Sequence, residues 1–234
     1  MKKAIIFCLS LAALCLAVAS CQKTKSITYP DPIEYTGDIE TSEVVDLGLS
    51  VDWASKNVGA LRAEEFGDYY SWGDTKTAQS VINIANYWDF NTETRAYVKY
   101  NTSSMILESA DDVASVKFAG NFRIPSPAEV QELFDKCTWI YASYKGVVGY
   151  VVSSNVNGKS IFFPCAGYGA EKGYVNAGKS GLYWTNISAA IQGSGSDLAA
   201  FAKAFSMWPD RLDCADAHKY LACPIRPVAD ITTP

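Results

Sequence analysis

Histidine is almost absent: the 234 residues hold one, His218. A single imidazole argues against His-clustered metal sites and against triads that need a histidine base. Basic charge is also scarce, with 20 Lys and Arg against 25 Asp and Glu and a net charge of −5. A chain of that sign lacks an electrostatic footprint for a phosphate backbone, so nucleic acid is not an expected partner. Beyond residue 44 there is no internal repeat, low-complexity segment or composition break, which argues for one domain. What is abundant is aromatic: 14 Tyr, 10 Phe and 6 Trp exclude a solvated coil. The length suffices for a large core.

The chain opens on Met1-Lys2-Lys3, and residues 4–19 are an apolar run broken only by Ser10. The run is short for a bilayer span and ends in small residues, which predicts a cleaved export signal over 1–20. Val18-Ala19-Ser20-Cys21 resembles the bacterial lipobox, in which the cysteine becomes the first processed residue and carries lipid. Acyl chains contribute about 0.8 kcal/mol per buried methylene, so a multiply acylated Cys21 would hold a globular domain on membrane lipid. Processing also removes Lys2 and Lys3, leaving 18 basic against 25 acidic residues, a net −7. A lipid-anchored place in the cell envelope, at the outer membrane, is therefore expected. Gln22-Lys23-Thr24-Lys25 is basic, and both the periplasmic and the surface face stay open. Residues 21–43, with Pro30 and Pro32, suit an extended tether; 44–229 form the domain and 230–234 a short tail.

Val45, Leu47, Leu49, Val51 and Trp53 alternate with polar residues and predict a half-buried strand. The glycine-bracketed aromatic segment 67–74 suits a short strand and turn. Ser109 with Asp112 opens a short helical stretch that Gly120 closes. Ser126, Pro127 and Glu129 form a capping box, and Val130, Leu133, Phe134 and Cys137 then fall on one helical face. Residues 147–154 and 160–163 flank Asn155-Val156-Asn157-Gly158, a hairpin with an Asn-Gly turn. Residues 182–184 and 220–228 predict further strands, the second an edge or bulge because of Pro224 and Pro227. Residues 198–207 fit two patterns. Phe201, Lys203, Phe205 and Met207 alternate as a strand would, whereas the alanines and the spacing of Leu198, Phe201, Phe205 and Trp208 fit a helix.

Several segments form an ordered set: residues 45–54, then 57–60, then Gly67-Asp68-Tyr69-Tyr70-Ser71-Trp72-Gly73. Phe122-Arg123-Ile124-Pro125-Ser126-Pro127-Ala128-Glu129, Tyr183-Trp184-Thr185 and Ile225-Arg226-Pro227-Val228 follow. This order resembles the Fibrobacter succinogenes major paralogous domain family, common among lipoproteins of the Bacteroidetes lineage. The resemblance covers about residues 44–228 and implies an α+β, C-type-lectin-like fold, with two helices packed on twisted antiparallel sheets and long loops. It implies a strand over 198–207. Trp53, Trp72, Arg123, Trp184 and Arg226 are expected to be scaffold, since buried aromatics and hydrogen-bonded arginines are commoner than ligand contacts at such positions.

The resemblance brings no defined activity. Calcium-dependent lectins of that fold carry Glu-Pro-Asn or Gln-Pro-Asp and Trp-Asn-Asp motifs, and this chain has neither. Trp208-Pro209-Asp210 and Trp184-Thr185-Asn186 are superficial echoes, so no metal is expected. In an oxidising compartment Cys137, Cys165, Cys214 and Cys223 allow three pairings. The lectin-like arrangement implies Cys137 with Cys223 and Cys165 with Cys214, while a place on a helix face also suits Cys137 as a free buried thiol. A remoter likeness to formylglycine-generating oxidases would need a closely spaced reactive pair, and Cys214 and Cys223 are too far apart in sequence. Neither an enzyme nor a cofactor is expected. For binding, the candidates are Tyr168 and Tyr174 in the glycine-rich stretch, with Trp208, Asp210 and Asp213 before the last strand. Aromatic faces suit sugar rings or apolar peptide anchors. The expectation is a lipid-anchored, noncatalytic binding or adhesion module for a glycan or protein. A structural subunit of a surface or fimbrial assembly is the alternative, and an oxidoreductase the third.

Overall fold

The structure is a computed structural model that describes residues 30–78, 82–102, 104–118, 121–171, 173–189 and 199–231. The expected export signal, Cys21, Gly120, Leu198 and the last three residues of the tail lie outside these. The first short strands are β1 (Ile33–Tyr35), β2 (Val44–Val45), β3 (Val51–Ala54), β4 (Phe90–Asn91) and β5 (Ala96–Tyr97). Helix α1 (Val113–Lys117), β6 (Phe122–Arg123) and helix α2 (Pro127–Lys136) follow. The longer strands come next: β7 (Cys137–Tyr144), β8 (Val147–Ser154) and β9 (Ser160–Pro164). Then come β10 (Tyr168–Ala170), β11 (Gly173–Val175), β12 (Gly181–Ser188), β13 (Phe201–Trp208), β14 (Arg211–His218) and β15 (Val228–Asp230).

Strand makes up 40% and helix 10%, in several small sheets without a closed barrel. This corrects the expected α+β, C-type-lectin-like architecture: the fold is mostly β. The reason is one of area. Helix α1 has five residues and α2 ten, and at about 1.5 Å per residue neither can cover a sheet. The sheets cover one another instead. Strands β12 and β13 of sheet β12-β13-β14 bury residues on both faces. One face sends Tyr183, Phe205 and Met207 into a cluster with Val130 and Leu133 of α2, Trp53 and Phe163. The other sends Trp184, Ala202, Ala204 and Ala217 against Tyr70, Trp72 and Tyr100. The alanines that suggested a helix are thus the small residues that let indole rings approach a strand closely. Residues 201–208 are strand β13.

Local signals hold where the interactions are local. The Ser126 side chain accepts from the Glu129 backbone N–H at 3.3 Å, and the Glu129 carboxylate accepts from Ser126 N–H at 2.7 Å. The β8–β9 hairpin forms around residues 155–158. Helix α1 starts later than expected, because Asp112 rather than Ser109 is its cap, accepting from the N–H groups of Ala114 and Ser115. Val45 to Trp53 is the instructive departure. All five alternating residues are buried, yet Val45 pairs with Trp53 across an antiparallel hairpin. Gly48 turns the chain at φ +70°, a conformation that costs most side chains, and its N–H donates to Asp46 Oδ1 at 2.7 Å. The segment expected as strand 220–228 pairs as β15 only from Val228, lying between β3 and β6 rather than at an edge.

All four cysteines of the domain are free, in place of the implied nested pairing. Cys137 is the first residue of β7 in the cluster around Trp53, while Cys223 is packed in the cluster around Trp72 on the far side of sheet β12-β13-β14.

Candidate functional site

The segment after Gly67 builds one wall of a surface groove. Gly67 holds φ +74°, and a β-carbon there would lie 2.4 Å from Val58 O, so no other residue fits without moving backbone. The N–H of Asp68 then donates to Val58 O at 2.8 Å. Tyr70 and Cys223 exchange backbone hydrogen bonds at 3.0 Å, and Trp72 N–H donates to Lys219 O at 2.9 Å. On its other side Ala222 exchanges bonds with Gly169 of β10. Residues 219–223 are therefore stitched between the aromatic segment and β10. Trp72 and Trp184 lock this frame from beneath, their indole N–H groups donating to Thr185 O at 2.9 Å and Tyr70 O at 2.8 Å.

Three depressions lie along this frame. The first, about 350 Å³, includes Asp68, Tyr69, Thr77, Ala78 and Tyr174. The second, about 150 Å³, shares Thr77 and Ala78 with it and adds Ser71, Asp74, Lys76, Asn83, Asn86 and Tyr220. The third, about 200 Å³, shares Tyr220 with the second and adds Phe90, Arg95, Tyr97 and His218. Singly they lie at or below the small-molecule range of about 300–1,000 Å³; Thr77 and Ala78 stand in the walls of the first two and Tyr220 in those of the last two.

Aromatic rings stand at both ends. Tyr174 is 61% exposed and packs its ring 4.5 Å from that of Tyr69. Tyr69 is fixed in turn by donating its hydroxyl to Ala166 O at 2.6 Å, and burial raises its pKa, so the phenol stays neutral. At the other end His218 stacks on Tyr220, with ring centroids 5.1 Å apart, and Phe201 lies tilted behind His218 at 4.0 Å. Between the ends the wall is polar. Asp74 Oδ1 accepts from Lys76 N–H at 2.9 Å, and Asn83 Oδ1 accepts from Asn86 N–H at 3.1 Å. Asp68 accepts from the Tyr70 hydroxyl at 3.0 Å, and Lys117 Nζ donates to that hydroxyl at 2.6 Å.

Of the sequence candidates, Tyr174 alone lines this groove. Tyr168 stands one register position from the partner of Tyr174, so the rings leave opposite faces of the β10–β11 hairpin, and Tyr168 packs toward the core. Trp208 ends β13 rather than lying in a long loop; its carbonyl accepts from the Tyr150 hydroxyl, and Arg211 stacks 5.9 Å from its ring. Asp210 sits in the tight β13–β14 turn, and Asp213 pairs with Arg211 at 3.4 Å. Sequence reasoning missed Tyr69, Lys76, Arg95 and Tyr220. Tyr69 was within reach, since it lies in the glycine-bracketed aromatic segment 67–74, read as a short strand and turn.

Among the described residues no group of three or more His, Cys, Asp or Glu side chains is placed to hold a metal ion. No described helix is long and apolar enough to cross a membrane. No protein-family model matches the chain, and no curated protein or solved structure matches it.

Proposed function

We propose that this chain is an envelope-anchored binding module whose groove holds a glycan chain. The supporting observation is a row of three depressions that share wall residues, with aromatic rings at both ends and hydroxyl, amide and charged groups between. Rings offer broad rigid contact to sugar faces, and the polar wall offers partners for hydroxyls. Tyr69 holds Tyr174 in place before any ligand arrives, which lowers the ordering cost of binding. The anchor is the lipid on Cys21.

Two outcomes are expected. On a glycan array, Tyr174→Ala should weaken the ligands bound by the native protein at least tenfold, about 1.4 kcal/mol. Its thermal midpoint should not move, because that ring is mostly in solvent. Full affinity in this variant would overturn the assignment of the groove. Separately, intact mass of membrane-extracted protein should start at Cys21 with added acyl mass; an unmodified Cys21 in a soluble fraction would overturn the anchor.

A further inference from the structure

We infer that the ligand is an acidic polysaccharide, whose carboxylate or sulfate groups meet Lys76 and Arg95. This rests on the groove reading above and narrows it. The chain is acidic overall, at −5. Among the described residues, eight lysines and arginines hold a carboxylate within 4.0 Å. Lys219 and Arg226 are fully buried. Lys76 and Arg95 differ from these. Both are exposed, both line the groove, and neither has an ion pair among the described residues. Of the groove's own carboxylates, Asp68 faces Lys117 Nζ at 3.6 Å, while Asp74 shares the central depression with Lys76 and accepts from its backbone N–H, which leaves Arg95 as the cation with no carboxylate in its own depression.

Arg95 supplies an independent observation. It holds φ +54° in the turn between β4 and β5, where Asn91 Oδ1 accepts from the N–H groups of Glu93 and Thr94. The left-handed region favours glycine or asparagine and costs other residues about 1–2 kcal/mol. An arginine that holds this conformation and also lines a depression fits a side chain used in binding. Lys76 lines the central depression and Arg95 the third, with Tyr220 shared between them. A polymer with repeated negative charge on sugar rings matches cations alternating with aromatic faces.

The test uses the whole processed protein and three probes in titration calorimetry: polygalacturonate, dextran sulfate and uncharged dextran. Binding is expected to an acidic polymer and not to dextran, with the better of the two acids telling carboxylate from sulfate. Lys76→Ala/Arg95→Gly should lose at least tenfold in affinity; glycine relieves the strained turn, so folding is kept. Lys56→Ala/Lys159→Ala, whose cations also lack ion pairs among the described residues but lie off the groove, should bind as the native protein does. Equal loss in both double variants would mean bulk charge attraction and overturn the proposal. Dextran binding that needs Tyr174 but ignores Lys76 and Arg95 would overturn the acidic class and leave the groove standing. A folded protein that binds none of the three also overturns the acidic class, while the Tyr174→Ala array result decides the groove separately.

Discussion

Replacing Arg226 with methionine should cost about 3–5 kcal/mol of folding stability, because it strands three buried oxygens at about 1–3 kcal/mol each, partly offset by no longer burying a charge. The guanidinium is fully buried and has no carboxylate partner among the described residues. Its Nε donates to Asn57 Oδ1 at 2.9 Å, Nη1 to Ala54 O at 3.2 Å and Nη2 to Phe162 O at 2.8 Å. Its Cζ lies 4.2 Å from the centroid of the Phe163 ring, and burial lowers its pKa to about 10, so it is still charged at neutral pH. One side chain thereby ties β3, the loop at Asn57 and β9 together. Asn57 passes the network on, donating to Phe66 O at 2.8 Å and to the Tyr183 hydroxyl at 3.2 Å, and that hydroxyl donates to Pro164 O at 2.7 Å. Methionine removes the cost of burying a charge but leaves three acceptors without this donor, each worth about 1–3 kcal/mol when buried. Arg226→Lys should restore little, because an ammonium cannot present a planar fork to three divergent acceptors. Urea unfolding reads the difference directly as a lower midpoint at unchanged slope. A methionine variant within 1 kcal/mol of the native protein would show that the network is dispensable.

Arg226 was legible as scaffold, while its partners were not. The reason is the same one that divides the rest of the fold into legible and illegible parts. Helix α2 could be read because Ser126 and Glu129 are three residues apart and satisfy each other. The β8–β9 hairpin could be read for the same cause, its register set by four turn residues. The hairpin at Gly48 could not: burial alternates identically in one long strand and in two short ones folded together, and only the glycine's left-handed backbone separates them. Strand β7 starts at the helix C-cap, so Cys137 satisfied a helical period while belonging to a strand. Strand β14 carries Arg211, Asp213 and Asp216, charges that suit an edge and blur the apolar alternation. The groove is harder still. Tyr69, Lys76, Arg95, Tyr174 and Tyr220 span most of the domain in sequence, and backbone bonds between residues 70–72, 169 and 219–223 bring them to one face. Tyr174 alone stood out, through its exposed place in a glycine-rich stretch.

The same burial predicts a steep loss of stability in alkali. Burial pushes the Cys137 thiol up to about 11, Cys165 up to about 12 and Cys223 well above the ordinary value of about 9. A thiol whose folded pKa is raised contributes stability that is fully present below the unfolded value and is lost as pH climbs toward the folded one. Each such group removes about 1.4 kcal/mol per pH unit, so the three together remove about 4 kcal/mol per unit from about pH 9, and above about pH 10 the buried tyrosines, Tyr70, Tyr150 and Tyr183 among them, add to the fall. Lys219 works the other way. It lies buried with Nζ 2.7 Å from Tyr100 O and 4.8 Å from the Trp72 ring, and burial lowers its pKa to about 8. Its folded pKa is depressed, so as pH rises from about 8 it returns about 1.4 kcal/mol per unit. The net fall, about 3 kcal/mol per unit, would exhaust the 5–15 kcal/mol typical of a domain within a few units above about pH 9. Thermal midpoints from pH 7 to 11 should therefore stay level to about pH 8.5 and then drop. Cys223→Ala should shallow the drop between about pH 9 and 10 by about half, and Lys219→Met should steepen it. Had the cysteines paired as disulfides, no thiol would remain to ionise, and the fall would begin only near about pH 10, where tyrosines that burial also shifts upward, Tyr70, Tyr150 and Tyr183 among them, start to ionise in the unfolded chain. A level curve from about pH 9 to 10 in the native protein would thus overturn both the thiol account and the free state of Cys137, Cys165 and Cys223.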